Sequence, residues 1–180
     1  RNALIIESDN FGGARLAVQE LYEKGCRRIA CIQSSRAIST HMFRYSGYRD
    51  QLALYGIVPD EKLHIRVDEV SFHAAREGML ALIRSETDFD GVFAVTDWLA
   101  LGAVAALNQC GIEVPGKVKV VGFDDISVSE LTAKPLTTVH QQMDVLGRTA
   151  AEEIVDLIEG ASVRAQHVQI GVSLIRRATT

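Results

Sequence analysis

Residues 118–142, VKVVGFDDISVSELTAKPLTTVHQQ, contain the stretch that decides the fold. The nearly unbroken apolar run over 118–123 is typical of a parallel strand that is buried on both faces. Asp124 and Asp125 follow the run at once. In an open parallel sheet the ligand crevice lies beyond the carboxyl ends of the strands, so Asp124 stands where a bound molecule could be held. Alternatively, the acidic pair forms an Asx turn and caps the segment that follows.

Outward from this strand, short apolar runs alternate with amphipathic stretches of helical period. We predict strands at 3–6, 29–32, 63–67, 92–95, 118–123, 136–140 and 168–175. We predict helices at about 10–24, 41–55, 72–83, 98–110 and 145–159, each of which ends at or near a glycine or a polar turn. The capping residues would be Asp9 or Asn10, Ser71, Asp97 and Asp144. Such alternation with short connections predicts an α/β fold, with a parallel sheet between helices on both faces.

The composition excludes several classes of protein. With 180 residues, 47% of them hydrophobic, the chain is long enough for one domain or two small lobes with a substantial core. Its 19 Lys and Arg against 23 Asp and Glu lack the basic footprint of a nucleic-acid-binding domain. Three cysteines without a Cys-x-x-Cys pair argue against disulfides and structural zinc, and favour the cytoplasm. The chain starts at Arg1 without methionine, so we expect a piece of a longer protein.

Polar residues follow four of the predicted strands and should meet at one edge of the sheet. They are Ser34, Ser35, Asp68, Glu69, Thr96, Asp97, Asp124 and Asp125. Carboxylates and hydroxyls suit a ligand that is rich in hydroxyl or amine groups, such as a sugar or a nucleoside, better than a phosphate. Arg44 could make a bidentate contact with the ligand, or it could be a solvated surface arginine. Trp98 and Phe72 could stack on a ligand, and Trp98 could equally pack against a neighbouring lobe.

Signatures of catalysis and of cofactors are missing. No Gly-x-Gly-x-x-Gly, phosphate-binding loop or Gly-x-Ser-x-Gly elbow is present, and the five histidines have no metal-ligand spacing. We expect a structural role for His140. Asp124 and Asp125 could suggest an acid/base pair, but adjacent turn residues usually point apart. We therefore expect neither enzymatic activity nor a cofactor or metal.

The chain resembles the lactose repressor (LacI) family of bacterial transcription regulators over nearly its whole length. The matching motifs, in order, are Ser8-Asp9-Asn10 with Gly13-Ala14, Gly25-Cys26-Arg27-Arg28-Ile29-Ala30, Arg44 with Gly47-Tyr48, Phe93-Ala94-Val95-Thr96-Asp97 with Ala100-Leu101-Gly102-Ala103, Gly122-Phe123-Asp124-Asp125-Ile126, Pro135-Leu136-Thr137-Thr138-Val139-His140-Gln141, and Leu174-Ile175-Arg176-Arg177.

The resemblance implies a sensor domain like the periplasmic sugar-binding proteins, with two Rossmann-like α/β lobes and an effector between them. Residues 1–8 would end the N-terminal lobe, 9–138 would form the C-terminal lobe, 139–167 would hold crossing segments and a return helix, and 168–180 would close the C-terminal lobe. The crossings would fall near 8–9, 138–141 and 160–167. The helix-turn-helix that binds operator DNA would lie outside this chain, and the intact regulator would be a cytoplasmic homodimer.

The resemblance also assigns individual residues. Arg44 and Asp124 match positions that contact effector, Thr40 lies on a loop that does so in some members, and Thr96 and Asp97 stand at the usual Asn-Asp. Met143 lies near the crossing where an aromatic residue covers the ligand in some members. The last helix would lose its packing surface, which predicts association or disorder at Leu146, Ala150, Ile154 and Leu157. The mechanism implied is a shift between lobe orientations that changes DNA affinity. The alternatives are a sugar-binding protein without a DNA role and, third, an enzyme.

Overall fold

The computed structural model describes residues 4–160 and 167–180, and these form an α/β fold built on a six-stranded sheet. The strands are β1 Ile5–Ser8, β2 Ile29–Ser34, β3 His64–Val67, β4 Gly91–Ala94, β5 Lys119–Asp124, β6 Thr137–Gln141, β7 His167–Ile170 and β8 Val172–Ile175. The helices are α1 Asn10–Glu23, α2 Ser39–Leu54, α3 Phe72–Arg84, α4 Asp97–Gln109, α5 Ser127–Glu130 and α6 Met143–Ile158, with a 3-10 turn at Glu61–Leu63.

The large sheet has the order β3-β2-β4-β5-β6-β8, and all its pairs are parallel except β6 with β8. The remaining strands, β1 and β7, pair in parallel as a separate two-stranded sheet. The single strand predicted over 168–175 is therefore wrong. It is two strands that belong to different sheets and separate at Gly171. The closing one runs antiparallel at the edge of an otherwise parallel sheet, as is common in doubly wound folds.

Two of the four predicted helix caps are confirmed. Asp9 and Ser71 cap α1 and α3, because their side chains accept hydrogen bonds from the backbone N–H groups of Gly12 and Ala74. The prediction for Asp97 is wrong, since the residue before it, Thr96, caps α4. Asp144 is also not a cap, because α6 begins without a capping side chain.

The core lies around the two central strands, β4 and β5. Val92, Phe93, Val121 and Phe123 are fully buried, as expected for strands covered by helices on both faces. Helix α4 adds further buried residues to this core, most of them small or branched, including Leu99. The apolar run over 118–123 thus forms a central strand of the sheet, β5, and Asp124 is the last residue of that strand.

Glycines let neighbouring helices approach closely. Gly47 on α2 lies against the backbone carbonyl of Phe11 on α1, and a Cβ atom at this position would overlap that oxygen. We expect Gly47→Ala to lower the free energy of unfolding by about 1–3 kcal/mol, because one helix must move away. Gly147→Ala is the matched control, since a Cβ atom there meets nothing within 4 Å. On α6 the alanine should instead stabilise by about 0.5–1 kcal/mol. Urea denaturation measures both values, and equal effects would contradict this account.

Helix α6 exposes much of its apolar surface. Ile154 is 54% exposed and Leu157 is 44% exposed, whereas Leu146 and Ala150 are half-buried. The association or disorder expected at these four residues stays a prediction. Within the described residues, no helix is both long enough and apolar enough to cross a membrane. The proposed third crossing, 160–167, lies almost entirely outside the described residues.

Candidate functional site

The candidate site begins where β5 ends, at a turn with unusual backbone geometry. Asp124 has a φ of 116° and Asp125 has a φ of 56°, and residues other than glycine seldom adopt such positive φ values. Such conformations persist where the surrounding structure holds them, and they cluster at ligand sites. The two carboxylates leave this turn in different directions and bind different partners.

Arg44 reaches this turn from the first half of α2. It is only 5% exposed, so the alternative of a solvated surface arginine is wrong. Its Nε donates to Asn10 Oδ1 at 2.9 Å, and its Nη1 donates to the Val95 carbonyl at 2.6 Å and to Asp124 Oδ1 at 2.9 Å. The guanidinium carbon also lies 3.6 Å from the centre of the Phe123 ring. Three segments of the chain besides α2 thus hold one cation in a fixed orientation.

Asp124 accepts two hydrogen bonds on one oxygen. Besides Arg44 Nη1, Gln141 Nε2 donates to Oδ1 at 2.7 Å from the end of β6. Burial raises the pKa of the Asp124 carboxyl to about 6, although the nearby Arg44 charge and its hydrogen bond act in the opposite direction. Burial also lowers the pKa of Arg44. Desolvation therefore outweighs the mutual attraction of the pair for both partners, as it often does for buried ions.

The Asp125 carboxylate binds partners different from those of Asp124 and ties the turn to the end of the chain. Its Oδ1 accepts from Arg177 Nη2 at 2.7 Å, and its Oδ2 lies 2.9 Å from His140 Nδ1. The structural role expected for His140 fits this contact. Helix α5 starts without a capping side chain, so the interpretation of the acidic pair as a simple cap is wrong. The divergence of the two carboxylates also leaves no acid/base pair at the turn.

Thr96 and Asp97 belong to the same edge, but Asp97 does not open to solvent. Its carboxylate is fully buried and accepts hydrogen bonds from Thr138 Oγ1, Ser129 Oγ and the Ile126 N–H at 2.5, 2.7 and 3.0 Å. Burial is the main cause that raises the pKa of Asp97, and the hydrogen bonds oppose it. The Thr96 hydroxyl accepts from the Leu99 N–H at 3.4 Å. The Asp97 carboxylate is thus occupied within its own chain, whereas the Thr96 hydroxyl still has a proton that it can donate.

Phe72 and Trp98 do not join the Arg44 and Asp124 cluster. Together they line an apolar groove of about 450 Å³ that runs along α4 and is closed on the other side by residues 128–134. Trp98 is 49% exposed. The predicted stacking of Trp98 on a ligand thus competes with another explanation, in which Trp98 packs against another lobe or subunit. Of the other two candidates, Thr40 lies half-buried in the first turn of α2, and Met143 is exposed as the first residue of α6.

Three contributors to the site escaped the sequence analysis. Asn10 and Gln141 hold Arg44 and Asp124 in place, and the Val95 carbonyl accepts from the guanidinium. Both side chains lie in motifs that carry the family resemblance, which is the signal that could have found them.

His41, one turn before Arg44, is 5% exposed and its Nδ1 has no hydrogen-bond partner within the described part of the chain. Burial, followed by the Arg44 charge, lowers its pKa to about 4, so it is neutral near pH 7. Across residues 4–160 and 167–180, no cluster of three or more His, Cys, Asp or Glu residues could hold a metal ion.

Comparisons with known proteins agree with this architecture. The family model of the periplasmic binding protein-like domain matches residues 18–180. The HTH-type transcriptional regulator CelR of Thermobifida fusca is 34% identical over 96% of this chain and 50% of its own length. The ribose operon repressor of Escherichia coli K12 is 30% identical over 97% of the chain and 53% of its own length. CytR, a transcriptional repressor of the same organism, is 31% identical over 97% and 51%.

Solved structures give the same result. A CelR–cellobiose complex superimposes with a TM-score of 0.93 at 34% identity, over 99% of this chain and 54% of the other. A LacI family regulator from Enterococcus faecium with bound ribose gives 0.86 at 25% identity, over 96% and 63%. The chain spans about half the length of the curated relatives it matches. On these matches, the chain belongs to the periplasmic binding protein-like family, among the effector-binding domains of LacI-type transcription regulators.

Proposed function

We propose that this chain is the effector-sensing portion of a LacI-type DNA-binding transcription regulator, and that its effector is a sugar or a nucleoside-like molecule. The observation that carries the proposal is the buried Arg44–Asp124 pair at the carboxyl edge of the sheet, braced by Asn10 and Gln141. The edge of a parallel sheet beyond its strand ends is where ligands bind in such folds. Relatives whose structures hold cellobiose or ribose share this fold.

The pair offers both donors and acceptors to a polyhydroxylated ligand. The three bonds of Arg44 use the hydrogens on Nε and Nη1, and no partner of Nη2 is seen within the described residues. Asp124 Oδ2 likewise has no hydrogen bond there, since both bonds fall on Oδ1. One fixed donor group and one fixed acceptor can grip adjacent sugar hydroxyls, each of which is both a donor and an acceptor. Thr40, Thr96 and Met143 would supply further contacts from the rim.

Regulation would follow from the position of the pair between lobes. We propose the lobe boundaries given above, with 9–138 and 168–180 as the C-terminal lobe and α6 as a return into the other lobe. Effector would bridge Asp124 and groups on the second lobe, and would thereby favour one lobe orientation over the other. Operator DNA would be bound by an N-terminal domain in the same cytoplasmic protein, so the lobe alone would bind effector weakly and operator not at all.

The intact regulator would be a homodimer, and the apolar groove beside α4 is our candidate for the contact between subunits. Leu131, which lies in the sequence between the lining residues Val128 and Thr132, is 81% exposed, and the lining residue Trp98 is 49% exposed. We expect Leu131→Asp to convert the full-length protein from dimer to monomer, because the contact would bury an unpaired charge. Sedimentation equilibrium measures the change. Val58→Asp is the control at another exposed apolar residue, and a dimer that survives Leu131→Asp would exclude this surface.

The proposed function is tested by thermal unfolding of the full-length gene product against pentoses, hexoses, disaccharides, sugar phosphates and nucleosides. A ligand that binds only the folded state raises the melting temperature in proportion to the logarithm of its concentration. We expect one compound class to do so and to change the affinity for operator DNA. If no compound shifts the transition, the proposed effector site fails.

The two alternatives make different predictions in the same experiments. A sugar-binding protein without a DNA role would show the thermal shift while no operator fragment binds. An enzyme would turn over a member of the panel, which product analysis would detect. The relatives named above are transcription regulators, which favours the first proposal over both.

A further inference from the structure

The carboxylate of Asp97 is more completely buried than either charged group of the neighbouring Arg44–Asp124 pair. It is fully buried, and its three hydrogen-bond donors come from two other segments of the chain. Ile126 and Ser129 follow the turn at the end of β5, and Thr138 lies on β6. A buried carboxylate with both oxygens bound to separate segments fixes the distance between those segments.

Two of these bonds act directly on the strained turn. Asp97 Oδ2 accepts from the Ile126 N–H, one residue beyond Asp125. Asp97 Oδ1 accepts the hydroxyl proton of Thr138, and the same hydroxyl oxygen then accepts from the Asp125 N–H at 3.4 Å. The Ile126 N–H binds the carboxylate directly and the Asp125 N–H is linked to it through Thr138, so the turn with positive φ cannot relax without breaking these bonds.

We infer that Asp97 is a positioning residue that holds Asp124 in the geometry needed to bind effector, without touching the effector itself. This inference rests on the function proposed above. It replaces the prediction that Asp97 contacts the effector directly. The orientation of the Asp124 carboxylate depends on the turn, because Arg44 and Gln141 approach it from fixed elements, α2 and β6. A relaxed turn would move the acceptor away from both donors.

Gly122 supports the inference independently. A Cβ atom at Gly122 would overlap Asp97 Oδ1, so the carboxylate occupies space that only glycine leaves open on β5. Gly122→Ala should therefore displace the Asp97 carboxylate without changing its charge. If Asp97 acts through its position, Gly122→Ala and a substitution of Asp97 itself should produce the same change at Asp124.

The test compares Asp97→Asn with a control that destabilises the fold elsewhere. Asparagine keeps the shape but removes the charge, and its amide nitrogen cannot accept from the Thr138 hydroxyl or, in the opposite orientation, from the Ile126 N–H. Leu80→Ala on α3 removes a buried side chain far along the chain from the turn. The first readout needs no ligand: the side-chain amide signals of Gln141, in protein labelled with ¹⁵N-glutamine, report its bond to Asp124. The second is the affinity for cellobiose and for D-ribose, measured by calorimetry well below the melting temperature.

We expect Asp97→Asn and Gly122→Ala to shift the Gln141 amide signals in the same direction and to weaken sugar binding at least tenfold. Leu80→Ala should leave both readouts at the wild-type values. Ser129→Ala, which removes one bond and no charge, should give a smaller shift of the same sign if Asp97→Asn does not fold. Unchanged Gln141 signals in the folded variants, or an equal loss of affinity in Leu80→Ala, would overturn the inference. If the full-length wild type binds neither sugar, affinity is measured instead with the compound that raises the melting temperature in the panel, and the amide signals still decide whether Asp97 positions Asp124.

Discussion

Arg44→Met is expected to lower the free energy of unfolding by about 3–5 kcal/mol, the usual cost of breaking a buried charge pair. The substitution leaves Asn10 Oδ1, the Val95 carbonyl and the Asp124 carboxylate without their common donor. Methionine fills much of the space over the Phe123 ring, so packing changes little beside the loss of hydrogen bonds. Urea denaturation followed by circular dichroism measures the difference.

Arg36→Met is the matched control, because Arg36 is exposed on the loop before α2. Its free energy of unfolding should stay within about 0.5 kcal/mol of the wild type, as for most surface substitutions. A double variant, Arg44→Met with Asp124→Asn, tests the pairing itself. The double variant should lose less free energy of unfolding than the sum of the two single variants, by about 1–3 kcal/mol. The reason is that Asp124→Asn removes the carboxylate charge that Arg44→Met leaves unpaired. Additive losses would mean that the two residues are independently anchored.

The elements of this fold could be predicted because they depend on local patterns. Alternating short apolar runs and amphipathic stretches locate the strands and helices, and the buried run over 118–123 marks the centre of the sheet. What local patterns cannot show is which sheet a strand joins. The run over 168–175 has one continuous alternation, yet β7 pairs with β1 and β8 pairs with β6. Those partners lie far away in the sequence, so only tertiary structure separates them.

The residues of the candidate site show the same limit. Thr96 and Asp97 are adjacent, both are good capping residues, and only the tertiary partners of Asp97 decide that Thr96 caps the helix. Arg44 is a polar residue in a helix of mixed pattern, and 80 residues separate it from Asp124. Without the family resemblance, nothing near Arg44 in the sequence indicates that it is buried. The gathering of polar residues at one sheet edge was predictable from topology, whereas their pairing was not.

Asp124→Asn is expected to weaken binding of the effector by about 100-fold or more, because charge-assisted hydrogen bonds contribute about 1.5–3 kcal/mol each. The amide oxygen can keep the bonds that Oδ1 accepts from Arg44 and Gln141, so the amide nitrogen would put a donor in place of Oδ2, the acceptor proposed for the effector. The compound that shifts the melting temperature in the panel is the ligand to use, with affinities from calorimetry. Asp88→Asn, at an exposed carboxylate on the opposite end of the sheet, should bind like the wild type.

The same variant separates the charge of Asp124 from its shape through the dependence on pH. With the Asp124 pKa raised to about 6, ionised carboxylate accepts from sugar hydroxyls at pH 7 and is mostly protonated at pH 5. Wild-type affinity should therefore fall by about tenfold from pH 7 to pH 5, as the ionised fraction falls. Because asparagine does not titrate, the affinity of Asp124→Asn should stay level over this range. His41 remains neutral across it, since burial lowers its pKa to about 4. A wild-type affinity that is flat from pH 7 to pH 5 would show that the effector does not depend on an ionised Asp124.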